Sequence, residues 1–357
     1  MESYFDIRNR NSLETLSKKL EGLPVFCEDF IIGIEQKTSA LTRLGYVSDL
    51  EIFFDFLIKK VPYFKAKKIV EISETDLDRI TARDFERFLS YLNYFSYNGV
   101  NHKNGERAKS RKFSAVRAFF KYLYARDLIK ENVTMKVETP KIHEKSIIRL
   151  DSDEVNGLLS EAEAENKFES GFKDSYNLNT RDRDIAILTL LLGTGIRVSE
   201  LVGLDIEDIS LERKSFVVTR KGGASTILYF NDEVKDALDN YLHTRAERLK
   251  KRNIREESAL FLSLQDKRIT VRAVENLVKK YARLASPLKK ISPHKLRSTF
   301  GTALYRSTKD IYAVAEVLGH KDVNTTKKHY AAISEDIKKA AAEKVVLRNE
   351  NKNKNEE

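Results

Sequence analysis

Apolar positions in the first third of the chain recur at helical spacing. Leu41, Leu44, Tyr46, Leu50, Ile52, Phe53, Phe54, Phe56 and Leu57 predict one long helix that stops near the K-K-V-P of Lys59–Pro62. A second helix is predicted from Thr81 or Ala82 through Tyr91, with Phe85, Phe88, Leu89 and Leu92 on one face. The turn-rich segment Tyr97–Glu106 predicts a loop. It leads into K-S-R-K-F-S-A-V-R-A-F-F-K-Y-L, an amphipathic helix with Phe113, Val116, Phe119, Phe120 and Leu123 inward. Its other side carries Lys109, Arg111, Lys112, Arg117 and Lys121. Those cations are candidates for phosphate-backbone contact, and an ordinary solvated helix face is the competing reading of comparable weight.

The pattern then changes. Glu138–Leu150, E-T-P-K-I-H-E-K-S-I-I-R-L, has a proline and no helical period, which predicts an extended linker between domains. A helix restarts at Asp151 or Ser152, and the acidic, glycine-containing stretch Glu161–Asn179 is expected to be a surface excursion. Ile185–Leu192 is apolar enough to be a buried helix. Strand character is expected in one place only: Ser215–Thr219 and Ser225–Phe230 flank R-K-G-G-A and read as a β-hairpin. Helical spacing returns over Val234–Leu249 and Val271–Ala285, and the polar tail N-E-N-K-N-K-N-E-E is expected to be disordered. The fold class is therefore mainly α, in two domains, with a small β element in the second. The boundaries read as residues 1–137, a linker 138–150, a second domain 151–348 and a tail 349–357.

Composition narrows the class. The 357 residues are enough for two ordinary domains, and 41% hydrophobic with 33% charged residues describes a soluble globular protein. No apolar run reaches membrane-spanning length, and the first thirty residues lack a secretory leader pattern. Cys27 is the only cysteine, so no internal disulfide forms, and no Cys/His spacing suggests zinc. A cytoplasmic location, close to the nucleoid, is expected. The net charge of +10 fits either a highly charged surface or a polyanionic partner, and composition does not choose between them.

The chemistry gathers in the second domain. S-P-H-K-L-R places His294 and Arg297 three residues apart on a helix opened by Ser292-Pro293. L-G-H places His320 after Gly319, which reads as a left-handed helix C-terminus. Tyr330 follows in K-K-H-Y-A-A. Far upstream, Arg197 in T-G-I-R-V-S-E is either a surface ion-pair partner or a fixed guanidinium whose fork takes two phosphate oxygens. Glu200, three residues on, is placed to hold it. Two such arginines neutralise a crowded phosphoryl centre without a metal. A tyrosine nucleophile would store the broken bond as a phosphotyrosine ester, with no need of ATP. Lys221, in the hairpin turn, is either solvated or the general acid for a leaving 5′ oxygen.

Taken in order, Arg197, Lys221, His294-x-x-Arg297, His320 and Tyr330 resemble the tyrosine recombinase (phage integrase) family. The resemblance runs through T-G-I-R-V-S-E-L-V-G-L-D-I-E-D-I, R-K-G-G-A-S-T-I-L-Y-F, H-K-L-R-S-T-F-G-T-A-L and V-L-G-H-K-D-V-N-T-T-K-K-H-Y, covering about residues 150 to 345. The first domain resembles the family's helical core-binding domain more loosely, through T-R-L-G-Y-V-S-D-L-E-I-F-F-D-F-L and R-K-F-S-A-V-R-A-F-F-K-Y-L. The flavour of R-K-G-G and S-P-H-K-L-R is most similar to Xer recombinases of the XerS-like kind. Two departures stand out. Ser298 follows H-x-L-R where histidine is frequent, at a position outside the core catalytic set. The stretch Lys167–Asn179 has no counterpart in the short family pattern.

The resemblance implies a two-domain clamp on double-stranded DNA with no cofactor. Arg197 and Arg297 would bind the scissile phosphate with support from His294 and His320. Lys221 would be general acid and Tyr330 nucleophile. A homotetramer on two DNA sites would exchange strands through a Holliday junction, with an accessory DNA translocase as a further partner in chromosome dimer resolution at a dif-like site. The helix after Tyr330 would dock on a neighbouring protomer or pack within its own. An integrase of a mobile element is the alternative with the same chemistry. A type IB topoisomerase and a catalytically dead DNA-binding protein are less well matched. Because the core-binding pattern begins by about residue 25, little room is expected for an added arm-binding domain, which favours the simpler recombinase.

Overall fold

A computed structural model describes residues 4–143, 148–164, 171–220, 223–254, 257–319 and 322–323, with 171–179 described by backbone alone. The chain divides into two compact units, Met1–Lys145 and Ser146–Glu357.

The first unit opens with α1 (Tyr4–Leu20), α2 (Val25–Gly33) and the long α3 (Ala40–Lys60), whose start is capped by Ser39 accepting the Thr42 N–H at 3.3 Å. The short α4 (Glu74–Leu77) and α5 (Ala82–Tyr91) follow. Each begins with a capping box: Ser73 and Thr81 accept from the backbone, and Asp76 and Asp84 accept the cap N–H groups at 2.8 and 3.0 Å. Burial works to raise the pKa of Asp76. Donors from Lys67 at 2.7 Å and Tyr63 at 2.6 Å outweigh it and hold the carboxyl well below the usual carboxylate range.

The segment Tyr97–Glu106, expected to be a loop, is a correction. β1 (Tyr94–Tyr97) pairs antiparallel with β2 (Val100–Lys103), in the register Phe95↔His102. The turn is Asn98-Gly99, both at positive φ (49° and 75°), the backbone that a two-residue hairpin demands. Only Phe95 is buried, so the apolar alternation was too short to announce a strand. Strand structure is thus not confined to the second unit.

After the hairpin comes α6 (Glu106–Tyr124). Its five predicted inward residues are all at most 1% exposed. They complete a core built mainly from phenylalanine rings. Phe53 stacks on Phe85 at 5.7 Å between centroids and meets Phe88 and Phe120 edge-on at 5.2 and 5.9 Å. A 3-10 turn at Val133–Lys136 precedes the linker, whose described residues 138–143 and 148–150 have no helix or strand.

The second unit is organised around one helix. α7 (Ser152–Glu163) is followed by α8 (Gly171–Thr194), against which α7 packs. Residues 171–179, expected to belong to a surface excursion, are instead the first turns of α8, and 165–170 lie outside the described residues. The glycine and the polar residues of those turns hid the helical period. Further along, Ala186, Ile187, Leu188, Leu190 and Leu191 are fully buried, because neighbours approach α8 from several sides. Those neighbours include α10 (Asp232–Lys251), α11 (Val271–Ala285) and α12 (Pro293–Thr308), introduced after the short α9 (Val198–Gly203). The last described helix is α13 (Ile311–Leu318), packed on α12.

Between α9 and α10 lies a three-stranded antiparallel sheet, β3 (Ile209–Ser210), β4 (Ser215–Thr219) and β5 (Ser225–Tyr229). Phe216, Val218 and Leu228 face inward and Val217, Ile227 and Tyr229 outward, the alternation of a half-buried strand pair. Among the described residues no helix is long and apolar enough to cross a membrane.

Phe53 has no exposure and lies at the centre of the ring cluster. Phe53→Ala should destabilise the first unit by about 3–5 kcal/mol. Urea unfolding of the protein and its variant measures this; a loss under about 1 kcal/mol would mean that the rings collapse into the cavity.

Candidate active site around the end of α13

The residues singled out for chemistry start from two helix ends. α8 stops at Thr194, and Gly195 follows at φ +62°, the left-handed residue that ends a helix. A Cβ on Gly195 would meet the Phe300 ring at 2.4 Å and Leu318 at 3.0 Å, so a glycine is also needed for close approach to α12 and α13. The chain turns there and α9 begins, with Arg197 at its N-cap position. Glu200 accepts the Arg197 backbone N–H at 3.0 Å through one oxygen and the guanidinium at 2.7 Å through the other. It is 4% exposed, so the carboxylate forms a fixed seat for a guanidinium that is itself 36% exposed. The three-residue spacing was legible as a pairing in the sequence, and the pairing is present.

The second helix end is that of α13. Asp310 caps its start by accepting from Tyr312 and Ala313 at 2.8 and 3.2 Å. Gly319 ends it at φ +60°, as L-G-H suggested. The last carbonyls of a helix have no partner within it. Here guanidinium groups supply the donors. Arg197 donates to the Gly319 carbonyl at 3.2 Å. Arg297, one turn inside α12, donates to the Leu318 carbonyl and to the Gly195 carbonyl, the latter at 2.6 Å. Arg297 therefore bridges the ends of α8 and α13, and it is 4% exposed. His294, exposed, lies in the first turn of the same helix, three residues before it.

A third guanidinium, which sequence reasoning passed over, comes from the hairpin. Arg220 donates to the Leu318 carbonyl at 2.8 Å and to Val317 at 3.0 Å. Burial lowers its pKa from the usual arginine value; Glu200 opposes that effect and Arg197 adds to it. The signal for Arg220 was available: with Phe216 and Val218 inward, alternation along β4 carries residue 220 to the same face.

Lys221, His320 and Tyr330 lie outside the described residues, as do the helix expected after Tyr330 and the tail. What is described is the frame to which they are chained: Lys221 follows Arg220, and His320 follows Gly319. Among the described residues no group of His, Cys, Asp or Glu is placed to hold a metal ion.

In the first unit, the cations of α6 have partners of their own. Arg111 grips Asp49 with two hydrogen bonds at 2.6 and 2.8 Å, and Lys112 reaches the same carboxylate at 3.0 Å. Asp49 is 1% exposed, so both cations neutralise a buried charge. Arg117 donates to the Val137 carbonyl and lies over the Phe113 ring, and Lys109 donates to Asn93 at 2.8 Å. Lys121 is exposed. The solvated-face reading therefore understates what these residues do for the fold.

Comparison with known proteins places the arrangement in context. The phage integrase family profile matches residues 149–336. Tyrosine recombinase XerC of Caldanaerobacter subterraneus subsp. tengcongensis is 33% identical over 315 residues, covering 85% of this chain and 82% of the relative. Tyrosine recombinase XerS of Streptococcus uberis is 31% identical over 355 residues, covering 92% of this chain and 98% of the relative. Among solved structures, XerH site-specific recombinase bound to palindromic difH substrate aligns with a TM-score of 0.60 at 19% identity, covering 85% of this chain and 80% of that one. A lambda integrase dimer bound to a COC′ core site also aligns at 0.60, with 16% identity, covering 85% of this chain and 94% of that one. These two likenesses concern the fold.

A Cβ on Gly319 would stand 2.0 Å from the Arg220 Nη1, in a backbone region that costs an L-residue about 1–2 kcal/mol. Gly319→Ala should therefore lose at least about 1 kcal/mol of stability in urea unfolding. An unchanged midpoint would show that the end of α13 is not held as described.

Proposed function

The chain belongs to the phage integrase family, whose curated relatives here are tyrosine recombinases of the Xer type, and on that premise we propose that it cuts and rejoins double-stranded DNA at a specific site through a 3′-phosphotyrosyl intermediate. The observation that carries this reading is the meeting of Arg197 and Arg297 at adjacent carbonyls, Gly319 and Leu318, immediately before His320. Residues far apart in sequence converge there, with Glu200 fixing the guanidinium of Arg197.

In this reading a scissile phosphate is bound by the Arg197 and Arg297 guanidiniums, assisted by His294 and His320. An arginine carries five N–H donors in a planar fork, the geometry that suits phosphate oxygens. The Tyr330 phenol oxygen bonds to phosphorus and the bond from phosphorus to the 5′ oxygen breaks. Lys221 gives that oxygen a proton, and the phenol proton passes to solvent. The ester keeps the bond energy for religation, so neither metal nor ATP enters. Residues 1–137 would serve as a core-binding domain and 151–348 as the catalytic domain. Lys109, Arg111, Lys112, Arg117 and Lys121 would lie toward the DNA backbone, with Asp49 setting the orientation of two of them. Four protomers on two sites would exchange strands through a Holliday junction, resolving chromosome dimers at a dif-like site with a DNA translocase as the controlling partner.

The first test is a nicked site, recovered by binding selection from random duplex DNA, on which the covalent intermediate accumulates. The protein should form a DNA adduct stable to denaturant, in the presence of EDTA and without nucleotide, and Tyr330→Phe should form none. A full-strength adduct from the Phe variant would remove Tyr330 from the mechanism. A selected site adjoining the gene itself would assign the protein to a mobile element instead of the chromosome.

Arg197→Ala and Arg297→Ala should each lower adduct formation by a factor of about 100 or more, the scale of losing a preorganised oxyanion donor. Affinity for the site should change little, because many other cations hold the backbone. Gel-shift titration beside adduct kinetics separates the two effects; equal loss of both would mean a folding or binding role.

A further inference from the structure

Arg220 has no part in the reaction as set out, yet it is tied into the site at both ends. Its backbone closes the base of the β4–β5 turn: the Arg220 N–H donates to Ala224 at 2.8 Å, and its carbonyl accepts from Gly223 at 3.0 Å. Its side chain donates to Leu318 at 2.8 Å and Val317 at 3.0 Å. The Leu318 carbonyl is shared with Arg297, and the next carbonyl, Gly319, is held by Arg197. One residue thus joins the hairpin to the carbonyls against which both phosphate-binding arginines are set. Gly319 lacks a side chain where the guanidinium passes; a Cβ there would overlap it.

We propose that Arg220 is a positioning residue for strand cleavage: it anchors the hairpin turn to the end of α13, so that Lys221, the next residue, reaches the leaving 5′ oxygen. This rests on the recombinase reading above and on Lys221 as its general acid. Gly223, on the far side of the turn, lies at φ +85°, and no described atom comes within 4 Å of where a Cβ would stand. A general acid acts only within hydrogen-bond reach of its oxygen, and a misplacement of about 1 Å costs on the order of 100-fold in rate. The two terminal nitrogens of Arg220 both donate to backbone carbonyls, Leu318 and Val317, which ties the side chain to the end of α13.

The chemistry supplies a selective test. In cleavage the phosphorus to 5′ oxygen bond breaks and the oxygen takes the Lys221 proton. If sulfur replaces that bridging oxygen, the thiolate leaves without a proton and the acid is not needed. Arg220→Ala, Arg220→Lys and Lys221→Ala are compared with the parent on nicked sites carrying either atom. On the oxygen substrate Arg220→Ala should form adduct roughly 100-fold more slowly, with unchanged DNA affinity. On the sulfur substrate it and Lys221→Ala should both come within a few-fold of the parent. Arg220→Lys, which keeps the charge but not the fork, should recover part of the oxygen-substrate rate, and it decides the comparison if the alanine variant does not fold.

Rescue of Lys221→Ala without rescue of the Arg220 variants would sink the inference, leaving Arg220 as part of the frame alone. So would a parental rate for Arg220→Ala on oxygen. Failure to rescue Lys221→Ala would overturn the lysine's role and the inference with it. No adduct from the parent on either substrate would instead defeat the recombinase reading.

Discussion

The bond between a guanidinium and a backbone carbonyl organises the second unit. At the end of α13 three arginines from α9, β4 and α12 occupy the last carbonyls of one helix, where the negative end of its dipole favours cations. The same device recurs behind the site. Arg183 donates to Leu262, Arg245 to Glu257 and Ala259, Arg248 to Ser263 and Leu264, and Arg268 to Val202 and Leu204. Each joins a helix to residues outside the helices and the three-stranded sheet. A planar fork with several donors can bridge two such points at once, which an ammonium group cannot do as rigidly.

This explains a division of labour between the units. The first is held by phenylalanine rings, a packing that is local and apolar. The second must bring together residues from α9, the hairpin and α12, and it does so with directional polar contacts around the buried apolar residues of α8. Apolar burial supplies cohesion without direction; the arginines supply the direction in which a phosphate would be held.

Helices with strong periodicity and clear caps were legible in the sequence. α3, α5 and α11 run almost as their apolar spacing indicated, because their caps Ser39, Thr81 and Thr270 mark the starts. β1 and β2 were not, since Phe95 is the only buried residue in them and a four-residue strand offers little alternation. The first turns of α8 were hidden by polar composition. At the site, the pairing of Arg197 with Glu200 and the left-handed Gly319 followed from spacing and residue type. The bridging by Arg297 did not, because it depends on which helix ends lie side by side, a long-range fact that no local pattern encodes; alternation along β4 gave the face of Arg220 but not its partner carbonyls.

The partners of the clamp at α13 have a further consequence. Carbonyl oxygens do not titrate, and arginine stays charged across the whole range in which a protein remains folded. The bonds of Arg220 and Arg297 to the carbonyls at the ends of α13 and α8 therefore involve acceptors that do not titrate, while Glu200 is an ionisable partner of Arg197. A frame of this kind is a silent background. Whatever acidity dependence strand cleavage displays belongs to the groups that exchange protons with the DNA and not to the scaffold that carries them.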